Sequence, residues 1–309
     1  MISHRFLVVA GVLAGALGAA LTVAVVDGAP APVIKPETSY IKAAQILEYG
    51  PPRQLNLQSQ VALVRDEREG VTLLAREIDT VRPIASLTKL MTALVVLEAQ
   101  QPLNAPLTIT TDDRDRLKGT HSRLHFGAIL TRSDMLRAAL GASDNRAASA
   151  LARHWPGGST AFIAAMNAKA EALGMAHTRF ADSSGLDPRN VSTARDLALL
   201  LDAVREQPLI AHNTTRGEMW VTDLGKSRPI DFFNTNRLTR VDSWDILLSK
   251  TGYTADAGNC LVMHITVQGR PLIVVLLNSW GTHSKYGDAA RIRDWLINTE
   301  RRVPLLTTL

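Results

Sequence analysis

The order of apolar segments along the chain constrains the fold more than any other feature of the sequence. Two runs rich in strand-forming residues lie at residues 60–77, around a charged turn from Asp66 to Gly70, and predict a hairpin. Three further apolar runs of this kind come only after Trp244. Helical patterns occupy the interval between them and also follow the last run. This order predicts an α+β fold, in which an antiparallel sheet is assembled from both chain ends and covered by helices.

One of the helical patterns places a serine at a helix start. After Pro83, apolar residues recur three and four positions apart and predict a buried helix with Ser86 near its first turn. The remaining helical patterns cover residues 131–155, 158–174, 192–206 and 286–302.

The first 29 residues predict an export signal or an N-terminal membrane anchor. Arg5 precedes an uncharged apolar run from Phe6 to Val26, which is long for a signal core and long enough to span a bilayer. A small-residue cleavage pattern ends at Ala31, but Pro32 follows it, so removal and retention are both open. The folded part is therefore expected outside the cytoplasm, in the periplasm or cell envelope, either soluble or N-terminally anchored. We assign the other segments to a linker and lead-in at residues 30–54, one domain at residues 55–300 and a short tail at residues 301–309.

The charge pattern argues against one class of partner. The net charge is +5, with basic residues scattered along the chain, which favours anionic surroundings such as a wall polymer or a membrane surface over nucleic acid. Cys260 is the single cysteine, so no intramolecular disulfide forms, and we expect it to be a core residue. His121 and His125 are four residues apart without a third ligand nearby, so no metal site is predicted.

A nucleophilic serine is suggested by Ser86 and Lys89. The side chain of Lys89 is expected to lean back over Ser86, because residues three apart on a helix share a face. To act as a base the lysine must be neutral, which requires lowering its pKa by roughly 3 units, or about 4 kcal/mol. Burial and a second cation nearby would both act in this direction. The same spacing occurs at Ser39 and Lys42, just beyond the proline-rich linker, where we expect a surface helix.

Two further motifs supply partners for this pair. Lys250, Thr251 and Gly252 lie on an apolar strand, where the glycine lets the backbone approach a ligand closely. Ser143 and Asn145 lie at a helix-rich turn and offer a hydroxyl and an amide to a common cavity. The order Ser-x-x-Lys, Ser-x-Asn, Lys-Thr-Gly is a strong signal for a serine nucleophile with its base.

With these motifs the chain resembles the penicillin-binding protein and serine β-lactamase superfamily. It is most similar to the low-molecular-mass D-alanyl-D-alanine peptidases, and among them to the D-alanyl-D-alanine endopeptidase subgroup. The resemblance runs from about Leu55 to Trp295 and implies a β-lactamase/transpeptidase-like fold with a helical subdomain. It is carried by the stretches "IASLTKLMTAL", "HSRLHFGAILT", "ASDNRAASALA", "DSSGLDPRNVSTARDLA", "NTNRL" and "LSKTGYTADAGNCLVM".

The resemblance implies a catalytic role for three residues. Ser86 would be the acylated nucleophile and Lys89 its base. Ser143 would relay the proton to the leaving amine, while Asn145 would bind the substrate amide.

The resemblance also implies how the Lys-Thr-Gly strand binds substrate. Lys250 would supply a positive field and help to hydrogen-bond Ser143, and Thr251 would bind the carboxylate next to the scissile bond. Gly252 would leave room for the substrate backbone. The backbone N–H groups of Ser86 and Tyr253 would form the oxyanion hole.

The function implied by the resemblance is that of an exported serine D,D-peptidase. It would hydrolyse D-alanyl cross-links of peptidoglycan through an acyl-enzyme on Ser86, be inhibited covalently by β-lactams, and need no metal or organic cofactor. In this interpretation the N-terminal segment, where it is retained, would associate the protein with the membrane.

Three alternatives to the endopeptidase are weighed. A D-alanyl-D-alanine carboxypeptidase is disfavoured by "RNVSTARDLA" and by the end of the chain at "NTERRVPLLTTL", without a second β-rich domain or an amphipathic anchor. A class A β-lactamase needs a glutamate-bearing Glu-x-x-Leu-Asn loop, whereas this chain has "FADSSGLDPRN". A non-catalytic wall-binding module would be supported by the loss of a motif residue, and all motif residues are present.

Overall fold

The computed structural model describes residues 40–304. The apolar run at the N-terminus, Ser39 of the first Ser-x-x-Lys pair and the last five residues lie outside this range, so the signal or anchor prediction is not addressed by it. Within residues 40–304, no helix has the length and apolar character needed to cross a membrane.

A five-stranded antiparallel sheet is the centre of the fold, and it confirms the prediction of a sheet built from both chain ends. Its strands are β1 (Ser59–Asp66), β2 (Thr72–Arg76), β9 (Asp245–Thr254), β10 (Gly258–Val267) and β11 (Arg270–Ser279). They lie in the order β2-β1-β11-β10-β9. The two chain ends meet where β1 pairs with β11, from Ser59 opposite Ser279 to Asp66 opposite Leu272.

Both faces of this sheet are buried, which explains why its central strands contain runs of consecutive apolar residues. Val262 and Val275 belong to the hydrophobic cluster on one face, whereas Leu261 and Val274 belong to the cluster on the other. The first cluster includes residues of helices α2 (Thr88–Glu98), α3 (Arg132–Gly141), α4 (Asn145–Arg153), α5 (Gly158–Ala172) and α6 (Ala194–Arg205). The second includes residues of α1 (Ala43–Tyr49) and α8 (Ser284–Glu300).

The helical part differs from the sequence prediction in one place that matters for the site. Residues 131–155 form two helices, α3 and α4, instead of one. The chain breaks at Ser143, which has the left-handed φ of +60°. Asp144 then caps α4 by accepting a hydrogen bond from the backbone N–H of Ala147. A residue in this conformation cannot continue an α-helix, so the break lifts Ser143 out of the helical repeat.

Other elements were not predicted from the sequence. Helix α1 lies within the segment assigned to the linker and lead-in, and its Ala43 and Ile46 are fully buried against the sheet. The compact unit of the chain accordingly begins at Ile41. The further unpredicted elements are helix α7 (Pro208–Thr215), the hairpin β7 (Glu218–Asp223) and β8 (Arg228–Phe233), and the short strands β3 (Arg82–Pro83), β4 (Pro106–Thr108), β5 (Ile129–Thr131) and β6 (Val191–Ser192).

Candidate active site

Ser86 lies on a 3₁₀ turn, Ala85–Leu87, that leads directly into helix α2. Ala85 has a left-handed φ of +48°, so the turn holds an uncommon backbone conformation next to the serine. Two glycines pack against this turn. A Cβ atom on Gly185 would lie 1.9 Å from the Ala85 carbonyl oxygen, and one on Gly252 would lie 3.2 Å from the Ser86 nitrogen. The turn is therefore held between a loop and the Lys-Thr-Gly strand, each of which approaches it closely only because it carries a glycine.

Lys89 is fully buried and contacts Ser86. Its Nζ donates hydrogen bonds to Ser86 Oγ at 2.9 Å, to Asn145 Oδ1 at 2.7 Å and to the backbone oxygen of Ser184 at 2.6 Å. Burial lowers the pKa of Lys89 from 10.5 to about 8, and the nearby charge of Asp182 opposes this shift. The amine next to the serine hydroxyl therefore loses its proton far more readily than an ordinary lysine does.

Ser143 and Lys250 form a second hydrogen-bonded pair. Lys250 Nζ donates to Ser143 Oγ at 2.9 Å and to the backbone oxygen of Thr251 at 3.0 Å. Only 1% of Lys250 is exposed. Its pKa lies well below the ordinary value, chiefly because of burial and then because of the positive charges of Lys89 and Lys285. The Ser-x-x-Lys and Lys-Thr-Gly motifs thus contribute two buried amines to the same candidate site.

Asn145 links the site to an exposed loop at residues 114–123. Its Oδ1 accepts from Lys89, and its Nδ2 donates to Thr120 Oγ1 at 2.8 Å. The preceding Asp144 is buried and accepts a hydrogen bond from Ser122 Oγ at 2.6 Å. Burial raises the pKa of Asp144. The amide of Asn145 is therefore fixed between Lys89 and the loop at residues 114–123, which forms the rim of the candidate site.

The Lys-Thr-Gly motif lies on β9, the strand at the edge of the sheet. Thr251 Oγ1 donates to Thr235 Oγ1 at 2.6 Å, and Tyr286 Oη donates to the Thr235 backbone oxygen at 2.9 Å. Tyr253, two residues further along β9, is 64% exposed. An edge strand offers backbone N–H and C=O groups along its open side, so an extended peptide can be added to it as a further strand.

Several site residues were missed from the sequence. Ser184 contacts Lys89 through a backbone carbonyl, and no residue type signals that contact. Asp182 is detectable in principle, because an Asp in a Ser/Gly-rich loop commonly accepts backbone hydrogen bonds. Its carboxylate accepts from the N–H groups of Ser184, Gly185 and Asp187 and so shapes the loop below Lys89. Across residues 40–304, no three His, Cys, Asp or Glu side chains are grouped so that they could hold a metal ion.

A serine hydroxyl lies beside a buried amine of lowered pKa, and a second buried amine lies beside another serine. This arrangement suits the class of serine acyl-transfer enzymes, because a buried lysine amine can serve as the base for the hydroxyl. The comparisons with known proteins agree with this class. A family model described as D-alanyl-D-alanine carboxypeptidase, of peptidase family S11, matches residues 49–281. The chain belongs to this family.

Two relatives and one solved structure place it further. The D-alanyl-D-alanine endopeptidase of Pseudomonas aeruginosa is 46% identical over 247 residues, which cover 80% of each chain. The D-alanyl-D-alanine endopeptidase of Escherichia coli K12 is 43% identical over 252 residues, covering 82% of this chain and 81% of the relative. The crystal structure of the Streptomyces K15 DD-transpeptidase is similar with a TM-score of 0.72 at 26% identity, over 79% of this chain and 98% of that one. The predicted transpeptidase-like fold is confirmed by this similarity.

Proposed function

We propose that this chain is an exported serine D,D-peptidase that hydrolyses D-alanyl cross-links of peptidoglycan, a D-alanyl-D-alanine endopeptidase. The observation that carries the proposal is the buried Lys89 amine, 2.9 Å from Ser86 Oγ and with its pKa lowered to about 8. The endopeptidase names of the two relatives support the choice of cross-links over terminal residues.

Acylation begins when neutral Lys89 takes the proton of Ser86 Oγ. The oxygen attacks the carbonyl carbon of the D-alanyl residue and forms a tetrahedral intermediate. Its oxyanion accepts hydrogen bonds from the backbone N–H groups of Ser86 and Tyr253. The glycine at position 252 supports this arrangement, because a side chain there would crowd the Ser86 nitrogen at 3.2 Å.

Collapse of the intermediate requires a proton on the leaving amine. Ser143 Oγ donates that proton to the leaving nitrogen and is reprotonated with the proton that Lys89 took from Ser86, so Lys89 returns to its neutral form. Lys250 Nζ, 2.9 Å from Ser143 Oγ, holds this hydroxyl in place. The C–N bond then breaks, and the freed amine leaves on the acceptor strand. The acyl group remains as an ester on Ser86.

Thr251 binds the substrate on the leaving-group side of the scissile amide. A terminal D-alanine and a cross-linked diamino acid both carry a carboxylate beside the amide to be cut, so one hydroxyl serves either substrate. Its hydrogen bond with Thr235 places two hydroxyls at this point of the edge strand. Asn145 holds the amide on the acyl side, with its side chain fixed by Lys89 and Thr120.

Deacylation by water gives the carboxylic acid product and restores the Ser86 hydroxyl. A β-lactam would form the same ester, but its leaving nitrogen stays tethered to the acyl group. The loop below Lys89 lacks a glutamate, and the Asp182 carboxylate there is taken up by backbone N–H groups. We therefore propose that penicillin acylates Ser86 and is released slowly, as expected of a penicillin-binding protein rather than a β-lactamase.

The apolar run from Phe6 to Val26 supports export to the periplasm or cell envelope. N-terminal sequencing of the mature protein and its partition between membrane and soluble fractions would distinguish a cleaved signal from a retained anchor.

The test of function is a mass-spectrometric digest of purified cross-linked muropeptide dimers with the full chain and with Ser86→Ala. We expect the native chain to convert dimers to monomers and Ser86→Ala to leave them intact. Loss of one terminal D-alanine with dimers preserved would identify a carboxypeptidase instead. No change with either protein would favour a wall-binding module, and full activity of Ser86→Ala would contradict the serine mechanism.

A further inference from the structure

One ion pair connects the two walls of the catalytic cleft. Lys118, on the exposed loop at residues 114–123, lies with its Nζ 2.7 Å from Oδ2 of Asp256, in the turn between β9 and β10. The loop is attached to the helical wall through Thr120 and Asn145. The turn follows directly on Tyr253 of the edge strand. The pair therefore joins the helical wall to the sheet wall.

The pair lies near two residues that would hold the acyl side of the substrate. Lys118 is two residues from Thr120, whose hydroxyl fixes Asn145, and Asp256 is three residues from Tyr253, so each charge lies within about 10 Å of chain from a residue of the site. Asp115, Arg116 and Leu117 of the same loop, together with Asn145, line a cavity of about 250 Å³. In the proposed binding mode, an acyl strand held between Asn145 and β9 would leave the site past this ion pair.

The pair is weak and accessible. The two side chains are 31% and 39% exposed. The hydrogen bond from Lys118 lowers the pKa of Asp256, so the carboxylate is charged at neutral pH. The Arg189 guanidinium, which forms an ion pair with Asp187, lowers the pKa of that carboxyl, and the charge of Lys118 adds to the effect, so a second carboxylate lies within electrostatic range of Lys118. An exposed ion pair contributes little to stability, so a ligand with complementary charges can displace it at small cost.

The chemistry of a wall peptide offers such charges. In a cross-link the side-chain amine of one strand is acylated by the other strand, and the acyl strand keeps its own diamino acid with a free amine. Where that side chain also carries a carboxylate, it ends as a zwitterion. Resting on the proposed peptidase function, we propose that Lys118 and Asp256 select the acyl strand by exchanging their mutual ion pair for two pairs with a side chain that ends in both an ammonium and a carboxylate.

The test uses penicillins of one nucleus and three side chains, so that it does not depend on which peptide bond is cut. The side chains end in a zwitterionic amino acid, in an ammonium alone, or in the same amino acid capped as an N-acetyl amide. Acylation rates are measured with the full chain and with Lys118→Met, Asp256→Asn and the double variant. Cleavage of the corresponding synthetic cross-linked dimers is measured in parallel.

The chain offers a matched control pair. Lys169 and Glu98 form an ion pair of similar exposure, 24% and 40%, at the end of α2 remote from Ser86. Lys169→Met and Glu98→Gln remove the same charges from the surface without touching the rim. They correct for changes in net charge and stability.

We expect each rim variant to lower the rate with the zwitterionic probe by about three- to five-fold and to leave the capped probe unchanged. The ammonium-only probe should respond to Asp256→Asn and not to Lys118→Met. Unchanged ratios between probes in all variants, or faster acylation by all three probes as if a barrier had been removed, would overturn the inference. Absence of acylation by every probe would overturn the proposed serine mechanism itself, so the two failures are distinguishable.

Discussion

The pH dependence of acylation tests the role of Lys89 most directly. With a pKa of about 8, roughly one Lys89 side chain in ten is neutral at pH 7, against roughly one in three thousand at the ordinary value of 10.5. The burial that lowers the pKa therefore raises the concentration of base about 300-fold. In free energy this corresponds to about 3 kcal/mol between the two protonation states.

The sign of the profile follows from which form is active. Only the neutral amine accepts the Ser86 proton, so the rate constant for acylation should rise about tenfold per pH unit below pH 8 and become constant above about pH 9. Stopped-flow measurement of acylation by a chromogenic penicillin, between pH 6 and 9.5, gives this curve. Ser86→Ala serves as the blank.

A second variant separates the base from its charge. Lys89→Arg keeps a cation of similar reach, but a guanidinium stays protonated throughout this range. We expect acylation to fall by about 10²- to 10⁴-fold and to lose the rise with pH. In the native chain, a rate that still rises about tenfold per pH unit at pH 9.5 would refute the reasoning from burial. An undiminished pH dependence in Lys89→Arg would refute the assignment of the base.

Two glycine substitutions test the packing of Gly185 and Gly252 against the turn that carries Ser86. Gly252→Ala places a Cβ 3.2 Å from the Ser86 nitrogen, so acylation should fall by about 10- to 100-fold with little change in the thermal midpoint; an unchanged rate would contradict close approach of β9. Gly185→Ala combines a φ of +86° with a Cβ 1.9 Å from the Ala85 oxygen. We therefore expect the free energy of unfolding, measured with denaturant, to fall by more than about 2 kcal/mol. A smaller decrease would show that the loop can shift to accommodate the methyl group.

The sheet was predictable because its strands are buried on both faces. The runs that become β10 and β11 are mostly apolar, and β11 is continuously so from Leu272 to Leu277. They lie at the far end of the chain from the first hairpin, so pairing between the two chain ends is the simplest way to bury all of these strands. Helix α1 was missed since its seven residues follow a proline-rich segment and carry too short an apolar pattern.

The motif residues of the site were predictable from the sequence, but the residues that contact and position them were not. The split between α3 and α4 depends on the left-handed backbone conformation of Ser143. In the folded chain, Ser143 accepts a hydrogen bond from Lys250, which is 107 residues away. The carbonyl of Ser184 that accepts from Lys89 is equally remote, 95 residues along the chain. Contacts of this kind are made by the tertiary fold and leave no local pattern in the sequence.

The two buried lysines are best understood as one electrostatic unit. Burial lowers the pKa of both, and the charge on Lys89 lowers that of Lys250 further, so a proton on one amine disfavours a proton on the other. Because Lys89 belongs to helix α2 and Lys250 to the edge strand β9, the unit exists only when both walls of the cleft are in place. Desolvating two amines reduces the stability of the fold, and the same desolvation makes a neutral base available near physiological pH. At these two side chains, the burial that supports reactivity therefore also lowers the stability of the fold.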